Sequence, residues 1–225
     1  MKVAILGASG QTGPCLIKEA LERGHDVIAI CRSPERMPLS DPKVEVRKAD
    51  AFNAGEILQA TAGADVVVTT VGATNLKDKR PLNTAAHRNV IDAMKAHGQN
   101  RLIAISSFGA ARGIKRKGIR RNIYLWLRRQ YYQDMADMEA MVAAESPGAT
   151  ILRAPSLHNR EPKRSYITTD DGTLPDGLAL CREDLAHYVL EAIEKDLDRD
   201  KVIAIVDEGS ELPPFREQLP PKRYH

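Results

Sequence analysis

At 225 residues the chain suits one α/β domain with a full core and is too short for two comfortable ones. A formal charge of +3 with 28% charged and 43% hydrophobic residues is an ordinary globular balance, and 4% aromatic content argues against a base-stacking nucleic-acid platform. No apolar run approaches a membrane span or a signal-peptide core, and Cys15, Cys31 and Cys181 form neither a disulfide framework nor a zinc motif, so the expected setting is the reducing cytoplasm.

Residues 2–6 read as a short apolar strand, followed at once by a turn with glycines at 7, 10 and 13. From 12 to 23 the pattern is helical, with Cys15, Leu16, Ala20 and Leu21 on one face. Further strands are predicted at 26–31, 44–48, 65–71, 101–106 and 150–153, and helices at 54–60, 82–97 and up to 145. Such alternation specifies an α/β doubly wound parallel sheet, a Rossmann-like single domain, and right-handed crossovers give the strand order 3-2-1-4-5-6. Residues 165–169 with the turn Asp170-Asp171-Gly172 predict a short hairpin. A helix at 182–195 is expected, with Cys181 and Asp184 spaced like a capping box in which sulfur replaces hydroxyl. One more strand falls at 201–206. The domain therefore spans 1–207, with a small substrate-side extension, and 208–225 is a proline-rich tail.

Strand, glycine turn and helix in this order make a phosphate-binding loop, in which backbone N–H groups and the helix N-terminus hold a pyrophosphate. The spacing is G-x-x-G-x-x-G: Gly7 for the tight turn, Gly10 for approach to the phosphates, Gly13 for packing of helix on strand. Other ligand residues then belong at the carboxyl ends of the strands. The second strand ends in Cys31-Arg32-Ser33-Pro34-Glu35-Arg36, with Arg32 where an acid would meet a ribose 2′-OH and guanidinium groups suited to a 2′-phosphate, so NADP(H) is expected over NAD(H). Asp50 and Ala51 would face adenine, Val71, Gly72 and Ala73 the ribose and pyrophosphate. Ser106 and Ser107, with Pro155 and His158 opposite, would flank the nicotinamide. The other histidines have no metal-ligand spacing, and no metal is expected.

These residues resemble the atypical short-chain dehydrogenase/reductase proteins, above all their biliverdin-IXβ reductase/flavin reductase branch. The matching runs are GASGQTG at 7–13, the turn at 32–36, DAFNA at 50–54, RNVIDAMKAHG at 88–98, ISSFGA at 105–110 and CREDLAHYVLEAIE at 181–194. The likeness extends over about residues 1–195. It implies that Gly7, Ser9, Gln11 and Thr12 hold phosphates, that Arg32 and Arg36 hold the 2′-phosphate, and that Ser107 lies near the point of hydride transfer.

The chain departs from the usual dehydrogenase pattern Y-x-x-x-K, in which a lysine cation lowers the tyrosine pKa. Tyr124 has Arg128 four positions on, Tyr131 has Met135 and Tyr132 has Ala136. The biliverdin-type branch lacks the pair too, but its histidine after the sixth strand is displaced here to His158. Between 112 and 129, eight Lys and Arg side chains alternate with apolar residues, as a basic flap over an anionic acceptor, a surface for a partner, or a solvated loop. The expected activity is NADPH-dependent hydride transfer to a small conjugated acceptor such as a flavin, linear tetrapyrrole or quinone. Ser107 would position the acceptor and His158 or solvent would supply a proton. A sugar-nucleotide epimerase or dehydratase, and a redox sensor that binds NADP(H) without turnover, are the alternatives.

Overall fold

The computed structural model describes residues 1–37, 41–72, 80–110, 128–170, 172–173 and 177–211. The first half runs β1 (Lys2–Leu6), α1 (Gly13–Glu22), β2 (Asp26–Cys31), β3 (Val44–Lys48), α2 (Ala54–Thr61), β4 (Val66–Thr69), α3 (Leu82–His97) and β5 (Leu102–Ser107). The second half runs α4 (Arg129–Glu145), β6 (Thr150–Ala154), β7 (Ser156–His158), β8 (Tyr166–Thr169), β9 (Ala179–Cys181), α5 (Arg182–Glu194) and β10 (Lys201–Asp207). Eight strands form one sheet in the order β3-β2-β1-β4-β5-β6-β10-β8, while β7 and β9 pair separately.

Side chains on a strand alternate between faces, and here both faces are apolar. Val3 and Ile5 with Val27 and Ala29 pack toward Leu16 and Ile17 of α1 and Leu185 and Val189 of α5. Ala4 and Leu6 with Ile28 and Ile30 point the other way, into a core with Ile57 of α2, Val90 and Ile91 of α3 and Met138 and Val142 of α4. Apolar packing on both faces leaves polar side chains along the central strands few and held by buried partners, as at Thr69 and Ser106. Chemistry is thereby confined to the strand ends.

The expected order 3-2-1-4-5-6 is present, extended by β10, parallel to β6, and by β8, antiparallel to β10. The predicted hairpin after residue 165 is revised in its partner: Tyr166–Thr169 pairs with β10, over thirty residues along the chain, in the register Ala204 to Thr169, while residues 171 and 174–176, on which its turn and return strand would fall, lie outside the described residues. The capping box at α5 is also corrected. Cys181 is the N-cap but makes no cap hydrogen bond, and its thiol donates to the Arg160 carbonyl. Asp184 instead accepts the backbone N–H groups of Lys163 and Arg164 at 2.9 and 3.1 Å, tying the segment after β7 to α5.

The cap of α3 comes from another helix. Its N-cap, Pro81, offers no side-chain acceptor, and the Asp134 carboxylate of α4 takes the N–H groups of Asn83 and Thr84 at 2.8 and 3.0 Å. One turn further, His87 is fully buried. Its Nδ1–H donates to the Asn83 carbonyl at 2.8 Å, so Nε2 accepts the Thr69 hydroxyl at 2.6 Å. At the opposite edge of the sheet, buried Arg101 donates to the carbonyls of Gly148, Ala192 and Leu197 and to Thr150 Oγ1, closing the amino ends of β5 and β6 against α5. Among the described residues no helix is long and apolar enough to cross a membrane.

Burial pulls the His87 pKa from 6.5 down to about 4. Below pH 6.5 the unfolded chain therefore binds a proton here that the folded protein refuses, and stability falls as pH drops toward 4. At about 1.4 kcal/mol per pKa unit the loss is on the order of 3 kcal/mol at most. Urea unfolding across this range should show a slope that His87→Gln flattens. An unchanged slope in the variant would show that His87 takes up its proton equally in the folded and the unfolded protein.

Candidate active site

The chain leaves β1 toward β2 and β3 on one side and returns to β4 on the other, so a crevice opens over the carboxyl ends of β1 and β4. The glycine turn fills its floor. Gly7 has φ +91°, a conformation that L side chains avoid, and a Cβ on it would lie 2.7 Å from Thr70 Oγ1. Its N–H and that of Ala8 donate to the Ile30 carbonyl at 3.0 and 3.2 Å, closing the turn against β2. Gly13 begins α1, and a Cβ there would fall 2.1 Å from the Ala8 carbonyl oxygen. The helix start therefore sits directly on the loop, with Gly10 exposed at its tip.

Thr12, the N-cap of α1, gives no side-chain cap, Pro14 has no N–H to offer, and the first turn carries no acidic residue. The positive end of the helix dipole is thus left for an anion. A backbone cradle that any Cβ would obstruct, at a helix start with no acid of its own, fits a dinucleotide pyrophosphate. The side chains around it are partly committed. Ser9 hydrogen-bonds Cys31, whose thiol is raised chiefly by burial. Gln11 Oε1 accepts from Arg182 Nη2 at 2.6 Å.

At the end of β2, Arg32 is exposed, Ser33 precedes a 3₁₀ turn at Pro34–Arg36, and Arg36 is exposed on that turn. Neither guanidinium has an ion-pair partner among the described residues. At the end of β3, Asp50 Oδ1 accepts the Phe52 N–H at 3.0 Å, and the Ala51 carbonyl takes the Asn89 amide at 2.8 Å. These two face the loop's own hydrogen bonding as much as any adenine. At the end of β4, Val71 and Gly72 follow Thr70, whose hydroxyl donates to the Leu6 and Gly7 carbonyls. The strand stops at Thr69 rather than at 71, because Thr70 turns in to hold the glycine loop. Ala73 and, within the basic segment 112–129, all but Arg128 and Arg129 lie outside the described residues, Tyr124 among them.

Ser106 and Ser107 are adjacent on a strand and so face opposite ways. Ser106 is 3% exposed, and its hydroxyl donates to Glu139 Oε1 at 2.6 Å. Its side chain belongs to that buried network rather than to the crevice, a correction to its expected place beside the nicotinamide. Glu139 also binds the Arg153 guanidinium at 2.7 Å, and Arg153 reaches the Gly172 carbonyl at 3.1 Å. This network clamps the ends of β5 and β6, where Ser107 is in register with Ala154. Ser107 itself is half-buried, and its Oγ accepts the Gly109 N–H at 3.3 Å. A hydroxyl that accepts from the backbone still has its own O–H to donate.

Pro155 links β6 to β7 and is half-buried. His158 is only 5% exposed, with Nε2 3.0 Å from Asp207 Oδ2 and Nδ1 accepting the Arg160 N–H at 3.2 Å. Both ring nitrogens are committed inside the protein. The imidazole anchors the β7 end to β10, and this geometry offers no proton to an acceptor in the crevice.

Three residues, Thr70, Glu139 and Arg182, carry no signal in the sequence, and Tyr131 is marked there only by the missing lysine four positions on. The Tyr131 hydroxyl lies 3.9 Å from where a Cβ on Gly72 would be, which puts a phenol at the β4 end of the crevice. The residue four positions on, Met135, is apolar and buried, so the helix supplies no cation at the usual lysine position. For Glu139 and Arg182 the missing signal is distance along the chain. Gln11 and Arg182 are 171 residues apart, Ser106 and Glu139 are 33 apart.

Comparison with known proteins agrees with this architecture. An uncharacterised chloroplastic protein of Arabidopsis thaliana is 27% identical over 218 residues, covering 91% of this chain and 76% of its own. ChuY, an anaerobilin reductase of Escherichia coli O157:H7, superposes with a TM-score of 0.79 at 20% identity, covering 95% of this chain and 100% of its own. A short-chain dehydrogenase/reductase of Veillonella parvula solved in complex with NADP gives a TM-score of 0.78 at 19% identity, covering 95% and 99%. The NAD(P)H-binding family model matches residues 7–196, from the first glycine of the loop to the end of α5. The chain belongs to the NAD(P)H-binding family of Rossmann-fold proteins.

Proposed function

We propose that the protein is an NADPH-dependent reductase that transfers a hydride to a conjugated acceptor, a flavin, linear tetrapyrrole or quinone, held over Ser107. The observation that carries this reading is the pairing of an acid-free glycine cradle with two exposed cations at the end of β2. Arg32 takes the strand-end position where an acid would favour a bare ribose, and with Arg36 on the following turn it would meet a 2′-phosphate. Gly7, Gly10 and Gly13 with the start of α1 would hold the pyrophosphate. When bound, the reduced nicotinamide supplies the hydride.

The chain's own part in the chemistry is positioning. Ser107 donates its O–H to the acceptor or to the nicotinamide amide, held in place by the Gly109 N–H and by the Glu139–Arg153 clamp behind it. Conjugated acceptors delocalise the incoming charge, so holding the two rings together supplies most of the rate. That suits a site in which Tyr131 and Tyr132 are followed at the fourth position by Met135 and Ala136 instead of lysine. Because His158 is committed to Asp207 and Arg160, water is the proton source in this scheme. ChuY is an anaerobilin reductase and the Veillonella relative was solved with NADP, both in keeping with the reading.

Arg32→Glu should weaken NADPH far more than NADH. Losing a charge-assisted phosphate contact of about 1.5–3 kcal/mol lowers affinity on the order of tenfold to a hundredfold. Fluorescence titration with both nucleotides measures this, and an unaltered NADPH/NADH ratio would remove Arg32 from the site.

Ser107→Ala should leave cofactor affinity within a few-fold while slowing stopped-flow oxidation of bound NADPH by a flavin. Wild-type rates in the variant would make Ser107 an end-of-strand residue with no part in transfer. Tight NADP binding with no turnover of flavins, quinones or tetrapyrroles by the wild type would favour a sensor instead.

A further inference from the structure

The buried guanidinium of Arg182 joins two parts of the molecule that the chain keeps far apart. Arg182 is the first residue of α5, which packs beside α1 on the same face of the sheet, so the N-termini of the two helices are neighbours. Parallel pairing of β9 with β7 puts Cys181 opposite His158, and hence Arg182 beside Asn159. From there Arg182 Nη1 donates to Asn159 Oδ1 at 2.9 Å and Nη2 to Gln11 Oε1 at 2.6 Å, with the residue only 5% exposed. Removing a cation from water is costly, and such a group is kept where its planar fork fixes other groups in place.

Arginine has donors and no acceptor, so the Gln11 amide must turn its oxygen toward Arg182. The NH2 group is then the part of the amide that remains to serve a ligand. Gln11 lies in the glycine loop between Gly10 and Thr12 and is exposed. An amide held this way can only donate, which is the polarity that a phosphate oxygen requires.

We propose that Arg182 is a positioning residue for the cofactor: it locks the Gln11 side chain with its NH2 toward the dinucleotide phosphates, and anchors that arrangement to the segment after β7 through Asn159. This inference rests on the assignment of the glycine loop as the cofactor site. Arg182 need not touch the cofactor. Its effect passes through Gln11, and that dependence is what separates it from a residue that merely supports the fold.

The test is a double-mutant cycle read as NADPH dissociation constants by titration calorimetry. Arg182→Lys keeps the charge but cannot fork to both amides, and Gln11→Leu removes the responding group. Arg182→Lys should weaken NADPH by roughly threefold to tenfold in the wild-type background, the size of one lost hydrogen bond. In the Gln11→Leu background the same change should have almost no effect. Equal losses in both backgrounds would overturn the proposal while leaving the cofactor site intact. Failure of the wild type to bind either NADPH or NADH would overturn both. Should Arg182→Lys not fold, Asn159→Ala frees the other arm of the fork, and its smaller loss must likewise vanish when Gln11 is Leu. A loss that persists there counts against the proposal.

Discussion

Helix α1 begins so close to the turn after β1 that one methyl group would prise them apart. The Ala8 carbonyl occupies the place of a Gly13 Cβ, and Thr70 occupies that of a Gly7 Cβ from the neighbouring strand. Everything at the carboxyl edge of the sheet follows from that approach. It brings the start of a helix, with its unshared N–H groups and positive dipole end, onto the floor of the crevice between β1 and β4. The apolar faces of the sheet then leave strand ends as the places where polar side chains can act.

Around this floor the polar groups divide into those that hold and those that remain open. Thr70 holds the glycine turn, Glu139 and Arg153 hold the ends of β5 and β6, and His158 with Asp207 holds β7 to β10. Asp184 and Arg182, two positions apart at the start of α5, hold the segment after β7 and the glycine loop. Arg32, Arg36 and Ser107 are the groups left at the crevice with donors to spare. The division explains why a site can be rigid and still have so few free functional groups.

Much of this was readable from the residues alone, because it is local. Strand alternation, the glycine spacing and the cations after β2 are written in consecutive positions, and the six central strands stand in the predicted order. What could not be read depends on partners distant in sequence. The strand at Tyr166–Thr169 looks like half of a hairpin until β10 arrives beside it. Ser106 and Ser107 look equivalent until Glu139 claims one of them, although two-residue periodicity already sets them on opposite faces. His158 looks like a proton donor until Asp207, 49 residues on, takes one nitrogen. Cys181 and Asp184 have the spacing of a capping box, yet the carboxylate serves backbone twenty residues earlier.

A phosphorylated dinucleotide lying across the β1–β4 crevice, with its phosphates on the glycine loop, would shield the backbone there from solvent. Hydrogen–deuterium exchange of the full chain with and without NADP+ measures that shielding. Exchange should slow in peptides containing Gly7–Gly13, Arg32–Arg36 and Ser107–Gly109, and stay unchanged at the amino ends of β5 and β6 around Arg101 and Gly148. Saturating NADP+ that leaves the glycine loop exchanging at its free rate, or protects the opposite edge of the sheet instead, would contradict this placement of the dinucleotide.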